Sequence, residues 1–219
     1  PQLLNGNNLG FIVYDYLAEI TMSIMARARA KDPSKGYAID FVSSVMKLNL
    51  QQIADQKVKI LSNAGGVNPQ ACADAIRELI NELNLDLKVA VVLGDDLLEH
   101  KDKFLDSGVQ EMYSDEKFPE LDKIASINAY LGAFPIAQAL NDGADIVITG
   151  RSVDSAVTLA ACIHTYGWKE DDYDKLASGS LAGHIIECGT QSTGGNFTDW
   201  ELSSKDLHMI GYPIVDVSE

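Results

Sequence analysis

The stretch "VKILSNAGGVNPQACADAIRELINELN", residues 58–84, decides how the chain is read. A short apolar run stops at Asn63, a Gly pair and an Asn-Pro follow, and a helical pattern begins. Asn68 is a residue type that caps a helix, and Pro69 suits the first helical position. A strand passed to a helix through a tight turn is the building unit of an α/β fold. Two readings of the turn stay open. Gly65 and Gly66 let the backbone take positive φ and approach a ligand, and the helix start offers N–H groups to an anion. Alternatively, Asn63, Asn68 and the glycines only turn the chain. Neither GxGxxG nor GxxxxGK[ST] occurs, so neither a dinucleotide fold nor a P-loop is indicated.

The same unit recurs outward from this stretch. "GFIVYD" (10–15), "LKVAVVLGDD" (87–96) and "ADIVITGR" (144–151) are short, Val- and Ile-rich runs, like "VKILSN" (58–63). Such runs fit parallel strands covered on two sides. Helical patterns lie between or after them at 16–31, 69–84, 135–143, 152–167 and 172–189. The expected fold is α/β: a mainly parallel sheet with helices on both faces, in a single domain over 1–219. The charged segment 97–126 reads as a surface insertion of helix or loop. "GTQSTGGNFTDW" (189–200) is a long polar, Gly-rich loop. "PQLLNGNNLG" at the start reads as the tail of a helix and "GYPIVDVSE" at the end as a strand, so a fragment or processed chain is expected.

The 219 residues carry a net charge of −15, with 46% hydrophobic and 22% charged residues. That balance argues against nucleic acid or an anionic membrane as partner, while a locally positive site can still take an anionic small molecule. No apolar run is long enough to span a bilayer, and no signal peptide pattern is visible. Cys72, Cys162 and Cys188 are odd in number and far apart, which fits a reducing compartment. No CxxC or HExxH spacing supports zinc.

In a parallel sheet, ligands bind beyond the carboxyl ends of the strands. The four ends carry Asp15 and Glu19; Asn63, Gly65, Gly66 and Asn68; Asp95 and Asp96; and Arg151 and Asp154. Asp95 or Asp96 can act as a base, cap a helix or hold Mg²⁺. Arg151 suits a two-pronged grip on a carboxylate or phosphate, or an ion pair with Asp154 or Asp15. In "AGHIIECGTQSTGGN" (182–196), His184 and Glu187 share a helix face and can work as a base and its partner, with Cys188 beside them. The bland reading there is a core histidine and a small buried thiol. Cys72 and Cys162 read as core, His100 and His208 as surface.

"DYLAEITMSIMARARAKDPSKGYAIDF", "NAGGVNP", "GDDL", "INAYLGAFPIAQALNDGADIVITGRSVDSA" and "LAGHIIECGTQSTGGNF", in this order, closely resemble the acyclic terpene utilisation (AtuA) family. The likeness runs over nearly the whole chain and is weakest at 97–126. It implies a cytoplasmic protein encoded among genes for acyclic terpenoid and branched acyl-CoA breakdown, and a family domain longer than this chain. No catalytic role comes with it. The matched positions Asp15, Glu19, Asn63, Gly65, Gly66, Asp95, Asp96, Asn128, Arg151, Asp154, His184, Glu187 and Gln191 are candidates by their chemistry alone. The expectation is a catabolic enzyme of lyase, hydratase or hydrolase type acting on a carboxylated or CoA-linked branched acyl compound. The alternatives are a non-catalytic subunit of an acyl-CoA-processing complex and, on "GDD" alone, a Mg²⁺-dependent phosphate enzyme. A homo-oligomer or an acyl-CoA-processing partner protein fits either of the first two.

Overall fold

All four expected strands form, each shorter than its apolar run: β1 (Phe11–Tyr14), β2 (Lys59–Ser62), β3 (Val89–Val92) and β4 (Ile146–Thr149). In this computed structural model, which describes residues 2–6 and 8–218, they build one parallel sheet in the order β1-β2-β4-β3. Side chains alternate across a strand. Ile60, Ile146 and Ile148 therefore face one layer, and Leu61 and Val147 face the other. These residues are wholly buried. Burying each such side chain contributes roughly 1.5–3 kcal/mol, which fixes the register tightly.

The first layer holds α1 (Glu19–Lys31), α2 (Lys47–Gln56) and α3 (Pro69–Glu82). The second holds α5 (Ala133–Asn141) and α6 (Ala156–Tyr166), with α7 (Tyr173–Cys188) packed on α6. The helix after β2 thus lies on one face and the helix after its neighbour β4 on the other. Their opening loops diverge at the carboxyl end of the sheet, where such folds bind ligands.

One element is absent from the sequence reading. A π-helical stretch, Phe41–Met46, runs straight into α2. Its buried residues Phe41, Met46, Leu50 and Ile53 are spaced five, four and three apart, because a π turn takes an extra residue. The extra residue hides the usual helical period. Tyr14 and Tyr16 pack edge-on against the buried Phe41 ring.

Two terminal expectations are corrected. Residues 2–6 form turns, not a helix tail, because Gly6 and the neighbouring polar residues favour turns. Residues 211–218 form no strand and take no regular secondary structure, and Tyr166 Oη donates to Val217 O at 2.9 Å. Pro1, Asn7 and Glu219 lie outside the described residues. The segment 97–126 leaves the sheet end and returns beside its starting point, where Leu97 N donates to Ile127 O and Ala129 N to Asp95 O, both at 2.8 Å. It carries α4 (Lys101–Asp106) and is mostly exposed. The polar loop at 189–200 is a short 3₁₀ turn, Gly189–Gln191, followed by turns and the single-turn α8 (Trp200–Ser203).

Candidate functional site

The parallel arrangement brings the four strand ends to one rim, and a polar network links them. Asn63, wholly buried, donates from Nδ2 to Asp15 Oδ1 at 2.5 Å and accepts from Tyr16 N at 2.7 Å. This ties the end of β1 to the end of β2. Beyond it, residues 63–67 are buried against the rest of the protein. Ala64 N donates to Ser62 Oγ, Gly66 N to Asn63 O, Val67 N to Gly36 O and Asn68 N to Gly65 O. Asn68 caps α3 by accepting from Ala71 N, and its amide donates to Pro33 O and Lys35 O at 2.9 Å. A Cβ on Gly65 would stand 2.6 Å from Pro69 Cα, and one on Gly66, where φ is +55°, would stand 2.6 Å from Gly36 O. Close packing therefore requires both glycines, and most of the loop's N–H groups serve the fold.

Asp95, at the end of β3, is 2% exposed. Its Oδ2 accepts from Asn128 Nδ2 at 2.9 Å and from Arg151 N at 2.8 Å. Burial pushes its carboxyl above the ordinary carboxylate range, against the lowering pull of those two hydrogen bonds. Gly150 makes room for it, since a Cβ there would stand 2.6 Å from Asp95 Cγ. Asp96 points elsewhere: Oδ2 pairs with Arg29 Nη1 at 2.9 Å and Oδ1 accepts from Leu98 N at 3.0 Å. Holding Mg²⁺ would require Asp96 to leave Arg29. A cleft of about 310 Å³ lies between the β2 and β3 loops, lined by Gly66, Asn68, Gln70, Gly94, Asp95 and Asp96.

Arg151 is the hub at the end of β4, and it is 4% exposed. Nη1 donates to Leu17 O at 2.9 Å and to Asp154 Oδ1 at 2.7 Å, while Nη2 reaches Glu19 Oε1 at 3.3 Å. Its Cζ lies 4.2 Å from the centre of the Tyr130 ring, and Tyr130 Oη donates to Glu19 Oε1 at 2.6 Å. Burial alone would lower the guanidinium; Tyr130 and the hydrogen bond and charge of Asp154 outweigh it and hold it above its usual value. The Tyr130 and Arg151 contacts hold Glu19 below the usual carboxylate range. Arg151 Nε and Ser152 Oγ are buried without a hydrogen-bond partner among the described residues.

The last turn of α7 joins the rim from the side. Gly183 packs on Ser155, at the mouth of α6, with room for no Cβ. Directly after it come His184 and, one turn on, Glu187 and Cys188. Cys188 Sγ donates to Glu187 Oε2 at 3.4 Å and lies 4.0 Å from His184 Nε2, and His184 Nδ1 lies 3.8 Å from Glu187 Oε2. The hydrogen bond to Glu187, some burial, and the charges of Glu187 and Asp154 push the Cys188 thiol up. His184 is 66% exposed, and so is not a core histidine. Gln191 turns away to accept from Asn196 Nδ2 at 2.7 Å. Burial raises the Cys72 thiol to about 12, as suits an inert core residue.

Arg29, Tyr130 and the backbone of Leu17 are site components that sequence reasoning missed. Arg29 sits in an ordinary helical pattern, and nothing local marks its reach across to Val67 O and Asp96. Tyr130 is two residues from Asn128, in a segment that runs along the ends of β3 and β4, with Leu131 N donating to Arg151 O at 3.0 Å. An extended reading of "INAYLG" would have placed Asn128 and Tyr130 on one side.

No helix of the described residues is long and apolar enough to cross a membrane. Neither the curated proteins nor the solved structures contain a match to this chain. The model of the family described as "Acyclic terpene utilisation family protein AtuA" matches residues 1–219, so the chain belongs to that family.

Proposed function

We propose that the protein is a catabolic enzyme of the cytoplasm that moves a proton on a carboxylated or CoA-linked branched acyl substrate, with Asp95 as the acid–base group. The observation that carries this reading is the buried Asp95 carboxyl, raised by burial at the carboxyl end of a parallel sheet and bonded to the backbone that follows β4. A carboxyl so placed holds or releases a proton nearer neutral pH than an exposed one does. Lyase, hydratase and hydrolase reactions all need such a group. Arg151 and Tyr130 form the anion-binding pair. The substrate's carboxylate or phosphate takes the position of Glu19, whose side chain is 79% exposed and holds Arg151 by one 3.3 Å contact. Asn68, Gly66 and Gln70 line the adjoining cleft.

Thermal shift and calorimetry with branched acyl-CoA esters and the matching free acids test the reading. At least one series is expected to stabilise the protein. Glu19→Gln should tighten that binding, and Asp95→Asn should keep the binding but remove turnover. Failure of every ester and acid to bind would overturn it.

A second reading, a non-catalytic assembly subunit, draws on the apolar groove of about 680 Å³ along β1. Leu9, Phe11, Val13, Cys162, Tyr166 and Tyr212 line it, beside a strand at the sheet edge. An unpaired edge next to an apolar surface accepts a strand from another chain. Co-purification of an acyl-CoA-processing partner, together with unchanged turnover in Asp95→Asn once assembly is controlled, would favour it.

A further inference from the structure

We propose that His184, Glu187 and Cys188 form a binding site for a divalent transition metal, Zn²⁺ by their donor set. One ligand atom from each residue can be chosen so that all lie within 4.8 Å of one another. The spacing i, i+3, i+4 puts the three donors on one face of the last turn of α7, so the helix itself sets their geometry. With Zn–S about 2.3 Å and Zn–N and Zn–O about 2.0–2.2 Å, the edges of a tetrahedral site are roughly 3.5 Å long. Here Sγ–Oε2 is 3.4 Å, Nδ1–Oε2 is 3.8 Å and Sγ–Nε2 is 4.0 Å. A small turn of the exposed imidazole, offering one nitrogen, closes the remaining gap.

The donor types select the metal. Thiolate and imidazole favour Zn²⁺ and its neighbours over Mg²⁺ and Ca²⁺, which prefer oxygen throughout. Asp154 lies close enough for its charge to act on Cys188, and it adds negative potential for a cation. Binding balances simply: Cys188 Sγ gives up the proton it now shares with Glu187 Oε2, and the proton goes to solvent. Three protein ligands on an exposed turn leave the fourth position open to water or a carbonyl oxygen, the pattern of a reactive rather than a structural zinc. The metal would then sit beside the rim that Asp95 and Arg151 occupy.

Titrating the full chain with Co²⁺ tests this directly and needs no substrate. One equivalent is expected to bind with a thiolate-to-cobalt charge-transfer band that Zn²⁺ abolishes. Cys188→Ser should remove the band, while Cys72→Ser and Cys162→Ser keep it. His184→Ala and Glu187→Gln should each weaken binding roughly tenfold or more, since even outer-shell losses cost that much. Absence of the band in the unaltered protein, or its survival in Cys188→Ser, overturns the site. If Cys188→Ser fails to fold by circular dichroism, Glu187→Gln decides: it keeps the thiol, and an unchanged Co²⁺ affinity refutes the proposal.

Discussion

Two polar clusters share the carboxyl end of the sheet and differ in how they use their groups. In the rim of Asn63, Asp95 and Arg151, the side chains are almost wholly buried and held mainly by one another and by the backbone. On the last turn of α7, His184 is open to solvent, and the contacts among His184, Glu187 and Cys188 are long. The buried cluster holds the strand ends together and shifts a carboxyl. The open cluster leaves its donors free for something outside the chain. Burial makes a polar group costly unless it is paired, so most groups of the first cluster have partners within the protein, Arg151 Nε and Ser152 Oγ excepted among the described residues. The second is under no such demand.

Mutations should separate the two clusters sharply. The largest effect is expected for Gly65→Ala, whose new Cβ meets the backbone of Thr149 and Pro69. Neither can yield cheaply, and urea unfolding should show a loss of about 3 kcal/mol or more. Arg151→Met comes next. It strands the buried Leu17 carbonyl and leaves Asp154 unpaired, a loss of about 2 kcal/mol. A stability change in Arg151→Met no larger than in Glu19→Gln would break the comparison, because it would mean that Arg151 is not the hub.

Asp95→Asn is expected to act in the opposite direction, and with pH. The folded protein raises the Asp95 pKa, so folding favours the protonated form. That contribution is present below the unfolded carboxyl value and is lost as pH rises through the folded one. At neutral pH the ionised, buried carboxylate therefore costs stability that asparagine does not, while an amide oxygen still accepts from Arg151 N. Melting curves should show Asp95→Asn at or above the unaltered protein at pH 7, with the advantage shrinking in acid. A variant less stable at pH 7 would make Asp95 a purely structural residue.

The smallest effect belongs to the open cluster. His184→Ala and Cys188→Ser should leave metal-free melting temperatures unchanged within the error of calorimetry, since neither side chain is part of the core. A marked loss in either would show that this turn is also structural.

Much of the rim was legible along the chain. Short apolar runs of Val and Ile, each followed by Asn, Asp, Arg or Gly and then a helical pattern, pointed to a parallel sheet whose polar ends gather on one side. Asn68 and Pro69 marked the start of α3 to the residue. The π-helical entry to α2 was not legible, because its extra residue breaks the period on which the reading depends. The anion cradle expected at Gly65 and Gly66 was ambiguous for a related reason. A turn that packs and a turn that binds use the same residues, and only their neighbours Thr149, Pro69, Met25 and Gly36 distinguish them.

The sequence by itself determined what acts over a few residues: strand, turn and helix patterns, the cap at Asn68, and the helical spacing of His184, Glu187 and Cys188. The tertiary structure alone decided what acts across the chain. It buried Asp95 and raised its carboxyl, surrounded Arg151 with Leu17, Glu19, Tyr130 and Asp154, and left the end of α7 open beside them. Local conformational preference is written in neighbouring residues, whereas desolvation and charge pairing depend on segments that meet only after folding.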